Sequence, residues 1–125
     1  MALLASAPVE PAQALADLVE ISPQIDVAAV LVADELVGSV GVSDARATGL
    51  ERAVRELLDG AAQSRTDGGR VTQLHAALGD GDVYAVTDGN ERTIVAVASK
   101  RTAPGLVFYD LKRCLASLDG ADAEA

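Results

Sequence analysis

The spacing of apolar residues changes repeatedly along this chain, and each change marks where one element gives way to the next. Leu15, Leu18 and Val19 stand at i, i+3 and i+4, one face of a short helix. Glu10-Pro11 opens it, because proline's missing N–H is not needed in a first turn. Ser22-Pro23 closes it, since the residue before a proline is pushed out of the helical region. Val27 to Ala33 is an unbroken apolar run of strand length with no polar face, which predicts a strand buried on both sides. Asp34-Glu35 reads as a two-residue turn, although the glycine of a tight hairpin is missing. Leu36 to Val42 returns as a second strand, loosened by Gly38 and Gly41 and so placed nearer an edge.

The period then lengthens. Ser43-Asp44 offers an N-cap oxygen for a helix from Ala45 to Ser64. Its apolar positions, from Ala47, Leu50, Ala53 and Val54 through Leu57, Leu58, Ala61 and Ala62, cover about half the circumference rather than a stripe of roughly 100°. Arg52, Arg55, Glu56 and Asp59 fill the rest. So wide a stripe either serves two contacts or leaves small alanines exposed. After a loop at Thr66 to Arg70, three strand-like runs follow, Val71–Leu78, Asp82–Thr87 and Arg92–Ser99. The turns between them, Gly79-Asp80-Gly81 and Asp88 to Glu91, are rich in residues that tolerate positive φ, which predicts an antiparallel meander. Thr93 to Ala98 is again nearly continuously apolar and belongs at the centre of a sheet. Thr102 is the expected cap of a last helix, along which Val107, Leu111, Cys114, Leu115 and Leu118 keep a helical period. Two strands buried on both sides need cover on both faces, the middle helix on one and the two terminal helices on the other. The pattern therefore predicts one α+β domain over residues 9–118, with residues 1–8 and 119–125 as flexible termini.

Composition narrows what such a domain can do. Half of the 125 residues are apolar, yet only Phe108, Tyr84 and Tyr109 are aromatic. A core of Val, Leu, Ile and Ala packs into tight layers and has few rings with which to line a large ligand pocket. The net charge of -9 excludes the basic footprint that nucleic acid or an anionic membrane requires. Cys114 is the only cysteine, so an internal disulfide is impossible, and a reducing compartment is compatible. Met1 to Pro8 lacks a basic leader and a sustained hydrophobic stretch, and no run reaches the roughly 20 apolar residues of a membrane span, so a cytoplasmic location is expected.

Residues with reactive chemistry are few. His75 is the only histidine, which removes multi-histidine metal sites. It alternates with Leu74 and Ala76 and shares a side of its strand with Val71 and Gln73, a semi-polar face that suits solvent or a partner. Cys114 falls on the apolar stripe of the last helix, where a thiol behaves as a small hydrophobe. Gly79-Asp80-Gly81-Asp82 has neither the further acidic ligands of a calcium loop nor the pattern of a phosphate cradle, and reads as a hairpin turn. No catalytic, metal or cofactor residue is assigned, and the chain is not expected to be an enzyme.

The succession of elements resembles the Roadblock/dynein-light-chain family, bacterial members of the gliding-motility GTPase-regulator type in particular. The stretches that carry the likeness are Ala14 to Ile25, the Val27–Val42 hairpin, the long helix, the meander, and Pro104-Gly-Leu-Val-Phe-Tyr-Asp-Leu-Lys-Arg113. The missing glycine after Asp34 departs from that pattern. The resemblance implies a three-layer α/β/α fold around a five-stranded antiparallel sheet in the order 2-1-5-4-3. It also implies dimers built by pairing the middle helix with its mate and joining the third strands edge to edge. Carried onto this sequence, the dimer contacts are Glu51, Arg55, Leu58 and Ala62 on the helix, with Val71, Gln73 and His75 on the strand. The implied partner is a small Ras-like GTPase, bound by a non-catalytic adaptor. The competing expectation is a small-ligand sensory domain of PAS, GAF or profilin-like architecture, which requires a cavity beside the sheet.

Overall fold

A computed structural model describes residues 9–33, 35–63, 72–78, 81–88, 91–99 and 103–119. The elements run α1 (Pro11–Ile21), β1 (Ile25–Val32), β2 (Glu35–Val40), α2 (Asp44–Gln63), β3 (Gln73–Leu78), β4 (Gly81–Thr87), β5 (Arg92–Ala98) and α3 (Pro104–Ser117). The five strands form one antiparallel sheet in the order β2-β1-β5-β4-β3. The two unbroken apolar runs, now β1 and β5, lie side by side near its middle, as their lack of a polar face requires. β2 is an edge, in keeping with its glycines, and β3 is the other.

Neighbouring residues on the strands go to different cores. Val30, Val86 and Ile94 join a cluster with Ala14, Leu15 and Leu18 of α1 and Val107, Leu111 and Leu115 of α3. Leu31, Ala85 and Val95 join a second cluster with Val54 of α2, against which Leu50, Leu58, Leu74 and Val83 pack in part. Because side chains alternate across a strand, the two clusters lie on the two faces of the sheet. α2 sits over β1 and β2, whereas α3 sits over β4 and β5 and runs beside α1.

Several boundaries differ from the sequence pattern, each for a local reason. β1 begins at Ile25, past which the polar Asp26 accepts a hydrogen bond from the Ser99 amide (2.8 Å) across the end of β5. β2 stops before Gly41, whose φ of +83° turns the chain. A Cβ there would collide with the Asp26 carbonyl oxygen, so only glycine fits. Ser43 does cap α2, its Oγ accepting from the Arg46 amide at 3.4 Å. Thr102, however, is not the cap of α3. Ala103 occupies that position in an extended conformation, with no side-chain hydrogen bond, and proline follows it in the first turn. Thr102, Asp34, Ser64 and Val71 lie outside the described residues.

Asp119, expected to open a frayed tail, is instead gripped by Arg92. The guanidinium Nη1 and Nη2 donate to its two carboxylate oxygens at 2.7 and 2.6 Å, and Nε donates to Asp88 at 2.8 Å. Hydrogen bonding to Arg92 holds the Asp119 carboxyl below the usual carboxylate range.

Tyr84 is the other departure. It is the largest fully buried side chain of a core expected to be aliphatic. Its ring meets Phe108 edge to face at 5.3 Å and stacks on His75 at 4.6 Å.

Candidate interaction surface

Four of the residues assigned to a partner contact lie on α2. At 100° per residue, Glu51, Arg55, Leu58 and Ala62 fall within an arc of about 60° on one flank of that helix. All four are half-buried. Glu51 and Arg55 form an i, i+4 ion pair, with the Arg55 Nε donating to the Glu51 Oε2 at 2.6 Å. Glu51, Arg55 and Leu58 also border a narrow crevice of about 20 Å³ over Thr93 and Val95 of β5. This flank therefore faces inward along the sheet, toward β4 and β3. The opposite flank carries Leu57, which is 49 % exposed.

β3 is placed as the edge-strand reading required. It pairs with β4 alone, in register from Gln73 opposite Val86 to Leu78 opposite Gly81. A strand with one neighbour offers a row of backbone donors and acceptors to another chain. The side chains divide, however. Leu74 belongs to the cluster under α2, whereas His75 stacks on Tyr84 in the cluster under α1 and α3. Gln73 shares the His75 side by alternation. Gln73 and His75 thus lie across the sheet from Glu51, Arg55, Leu58 and Ala62. The structure brings together the four helix residues but not the helix and strand residues on one face.

On the α2 side, the β3 end of the sheet is incompletely covered. Leu74, Ala76 and Val83 are only half-buried there, because α2 lies over β1 and β2. Leu74 and Val83 were not among the expected contact residues. The signal was available in part: Leu74 is the large aliphatic on the other side of the strand that carries His75. What the sequence lacks is the offset of α2.

The remaining chemistry is structural. His75 Nε2 lies 3.5 Å from the Asp82 carboxylate, on a side chain 31 % exposed. Asp82 also receives the Tyr84 hydroxyl at 3.4 Å. Cys114 is buried against the Ala14 carbonyl, and burial, with a contribution from Asp17, pushes its thiol from 9.0 up to about 11. Its thiolate fraction at pH 8 then falls about a hundredfold below that of an ordinary cysteine. Disulfide-exchange labelling at pH 8 is expected to be slowed by at least that factor in the folded protein, relative to the chain in denaturant. The neutral thiol also favours the fold below pH 9, and that contribution disappears as pH rises through about 11. Among the described residues no group of His, Cys, Asp and Glu side chains could hold a metal ion, and no helix is long and apolar enough to cross a membrane.

The arrangement of a five-stranded sheet with this strand order and these helices recurs in solved structures. A Roadblock/LC7 domain from Streptomyces avermitilis superposes with a TM-score of 0.75, covering 87 % of this chain and 92 % of its own, at 17 % identity. The chain has the Roadblock/LC7 fold. MglB from Myxococcus xanthus matches at 0.73, covering 88 % and 85 % at 16 % identity, and the gliding protein MglB from Thermus thermophilus at 0.59, covering 98 % of both chains at 14 % identity. A further MglB structure, described as having a tetrameric arrangement, matches at 0.63. No protein-family profile matches the chain, and no curated protein matches it by sequence. At these identities the Roadblock/LC7 likeness is one of fold, and the residues that differ decide what the surface does.

Proposed function

We propose that this protein is a non-catalytic cytoplasmic adaptor that pairs with a second copy of itself through the β3 edge and the inward flank of α2, and in that form engages a small Ras-like GTPase. The observation that carries the reading is the half-covered β3 end of the sheet. Leu74, Ala76 and Val83 remain half-buried at the edge of the sheet, Leu58 packs on the same cluster as Leu74 and Val83, and Glu51, Arg55 and Leu58 line a crevice over the neighbouring β5. A symmetry mate joining β3 to β3 would lay its own α2 beside this one and cover that apolar strip. Both the strand edge and the strip are then satisfied by one two-fold contact.

Gln73 and His75 fit the same contact from the other side of the continuous sheet, where they would face their counterparts across the joined strands. The GTPase rests on the family resemblance of the sequence and on the likeness in fold to MglB. An adaptor of this kind needs no nucleophile, metal or cofactor of its own, in keeping with a core-bound Cys114 and a stacked His75.

The test is binding to a small Ras-like GTPase of the same cell, loaded in parallel with GDP and with a non-hydrolysable GTP analogue. Binding is expected to differ at least tenfold between the two loaded forms, which corresponds to about 1.4 kcal/mol of discrimination. Equal affinity for both, or none for either, contradicts the GTPase assignment while leaving self-pairing standing.

A further inference from the structure

The C-terminal half of α3 and the far ends of β4 and β5 enclose an open cleft of about 380 Å³ on the face away from α2. That volume is near the lower end of the roughly 300–1,000 Å³ typical of small-ligand sites. One wall is a stripe of Lys112, Leu115 and Ala116 on α3, continued just past the helix end by Asp119, at i, i+3, i+4 and i+7. The other wall includes Val86, Thr87 and Arg92. The floor is thus aliphatic, and the rim is charged.

At the rim Arg92 is presented fork-first. Its side chain is 11 % exposed, fixed from behind by Asp88, and its two terminal nitrogens take both oxygens of Asp119. Two parallel bonds to a planar carboxylate are the geometry by which arginine selects that group. Asp119 is the looser partner, with 43 % of its side chain exposed, against 23 % for Asp88. Two turns earlier on the same wall, Lys112 has no ion-pair partner among the described residues. The cleft therefore combines a carboxylate receptor occupied by a replaceable side chain, a second cation, and an apolar floor that Asp119 does not use.

From this juxtaposition we infer that the cleft binds a small aliphatic carboxylic acid. Its carboxylate takes the place of Asp119 on Arg92, beside Lys112, and its alkyl chain lies on Val86, Leu115 and Ala116. The exchange keeps Arg92 in a two-oxygen fork and releases the more exposed of its two aspartates to water. The alkyl chain adds apolar burial that Asp119 cannot offer. The cleft lies on the sheet face away from α2 and reaches Thr72, next to the β3 edge.

The experiment is a titration of the full chain with octanoate, followed by the methyl resonances of Val86, Leu115 and Ala116, with 1-octanol and acetate as matched probes. Saturable shifts at those methyls are expected with octanoate, and binding about tenfold or more weaker with either control, since each lacks one half of the recognition. Lys112→Gln should weaken octanoate binding about fivefold, and Asp119→Asn, which removes the competing carboxylate, should tighten it by a similar factor. Spectra of both variants away from the cleft report that the fold is retained. The assignment is overturned by shifts that do not saturate, by octanol binding as tightly as octanoate, or by an Asp119→Asn variant that binds more weakly than the parent.

Discussion

Exchanging Leu74 for aspartate is expected to halve the mass of the protein in solution, from about twice the chain mass to the 12.7 kDa of a single chain. Leu74 is half-buried on β3, on the side that α2 leaves partly open. Covering the exposed half of a leucine contributes roughly 0.8–1.5 kcal/mol, and a two-fold interface counts it twice. The total, about 1.5–3 kcal/mol, corresponds to one to two powers of ten in the dissociation constant, before any repulsion between the two new carboxylates. Leu57→Asp is the control. Leu57 is the most exposed leucine of α2, about 130° around the helix from the inward flank, so its replacement should leave the mass unchanged. Leu58→Asp is the companion change on the helix, since Leu58, like Leu74, packs in part on the protomer's own Val54 cluster. Light scattering checks the masses, and far-ultraviolet circular dichroism checks that each variant keeps its secondary structure.

The largest loss of stability is expected from Tyr84→Ala. The ring is fully buried at the centre of the larger cluster, with His75 stacked on one side and Phe108 edge-on at another. Deleting a buried aromatic ring costs about 3–5 kcal/mol in transfer and cavity terms. A domain of this size has a total of roughly 5–15 kcal/mol to lose, so the variant should sit close to its unfolding threshold at 37 °C. The expected drop in Tm is about 10–20 °C. Tyr84→Phe separates ring from hydroxyl. It keeps the ring and removes the hydroxyl with its 3.4 Å contact to Asp82, and should cost about 1 kcal/mol.

The unbroken aliphatic runs of β1 and β5 could be read directly, because a strand with no polar side can only be buried on both. Ser43 as a cap and Pro23 as a stop were equally legible, since each acts on the backbone within a turn of its own position. What escaped were features that depend on distant partners. Asp26 stands just ahead of the apolar run, yet it lies within β1 and holds the end of β5, 73 residues away. Asp119 looked like the start of an acidic tail, and its anchor, Arg92, lies 27 residues away on a strand. For the candidate surface, alternation correctly grouped Gln73 with His75. It could not say which face of the sheet they occupy, because that follows from the register His75 opposite Tyr84 and from which helix covers Tyr84. Leu74 was passed over for the same reason.

Hydrogen exchange along β3 tests self-pairing most directly. In a lone protomer the amides of Gln73 to Leu78 alternate between those bonded to β4 and those pointing outward, and the outward set exchanges freely with water. With a second β3 alongside, the outward amides gain partners. Slow exchange at successive positions through the strand, lost on dilution to the monomer, is the expected result. Unprotected alternate amides at millimolar concentration would contradict it.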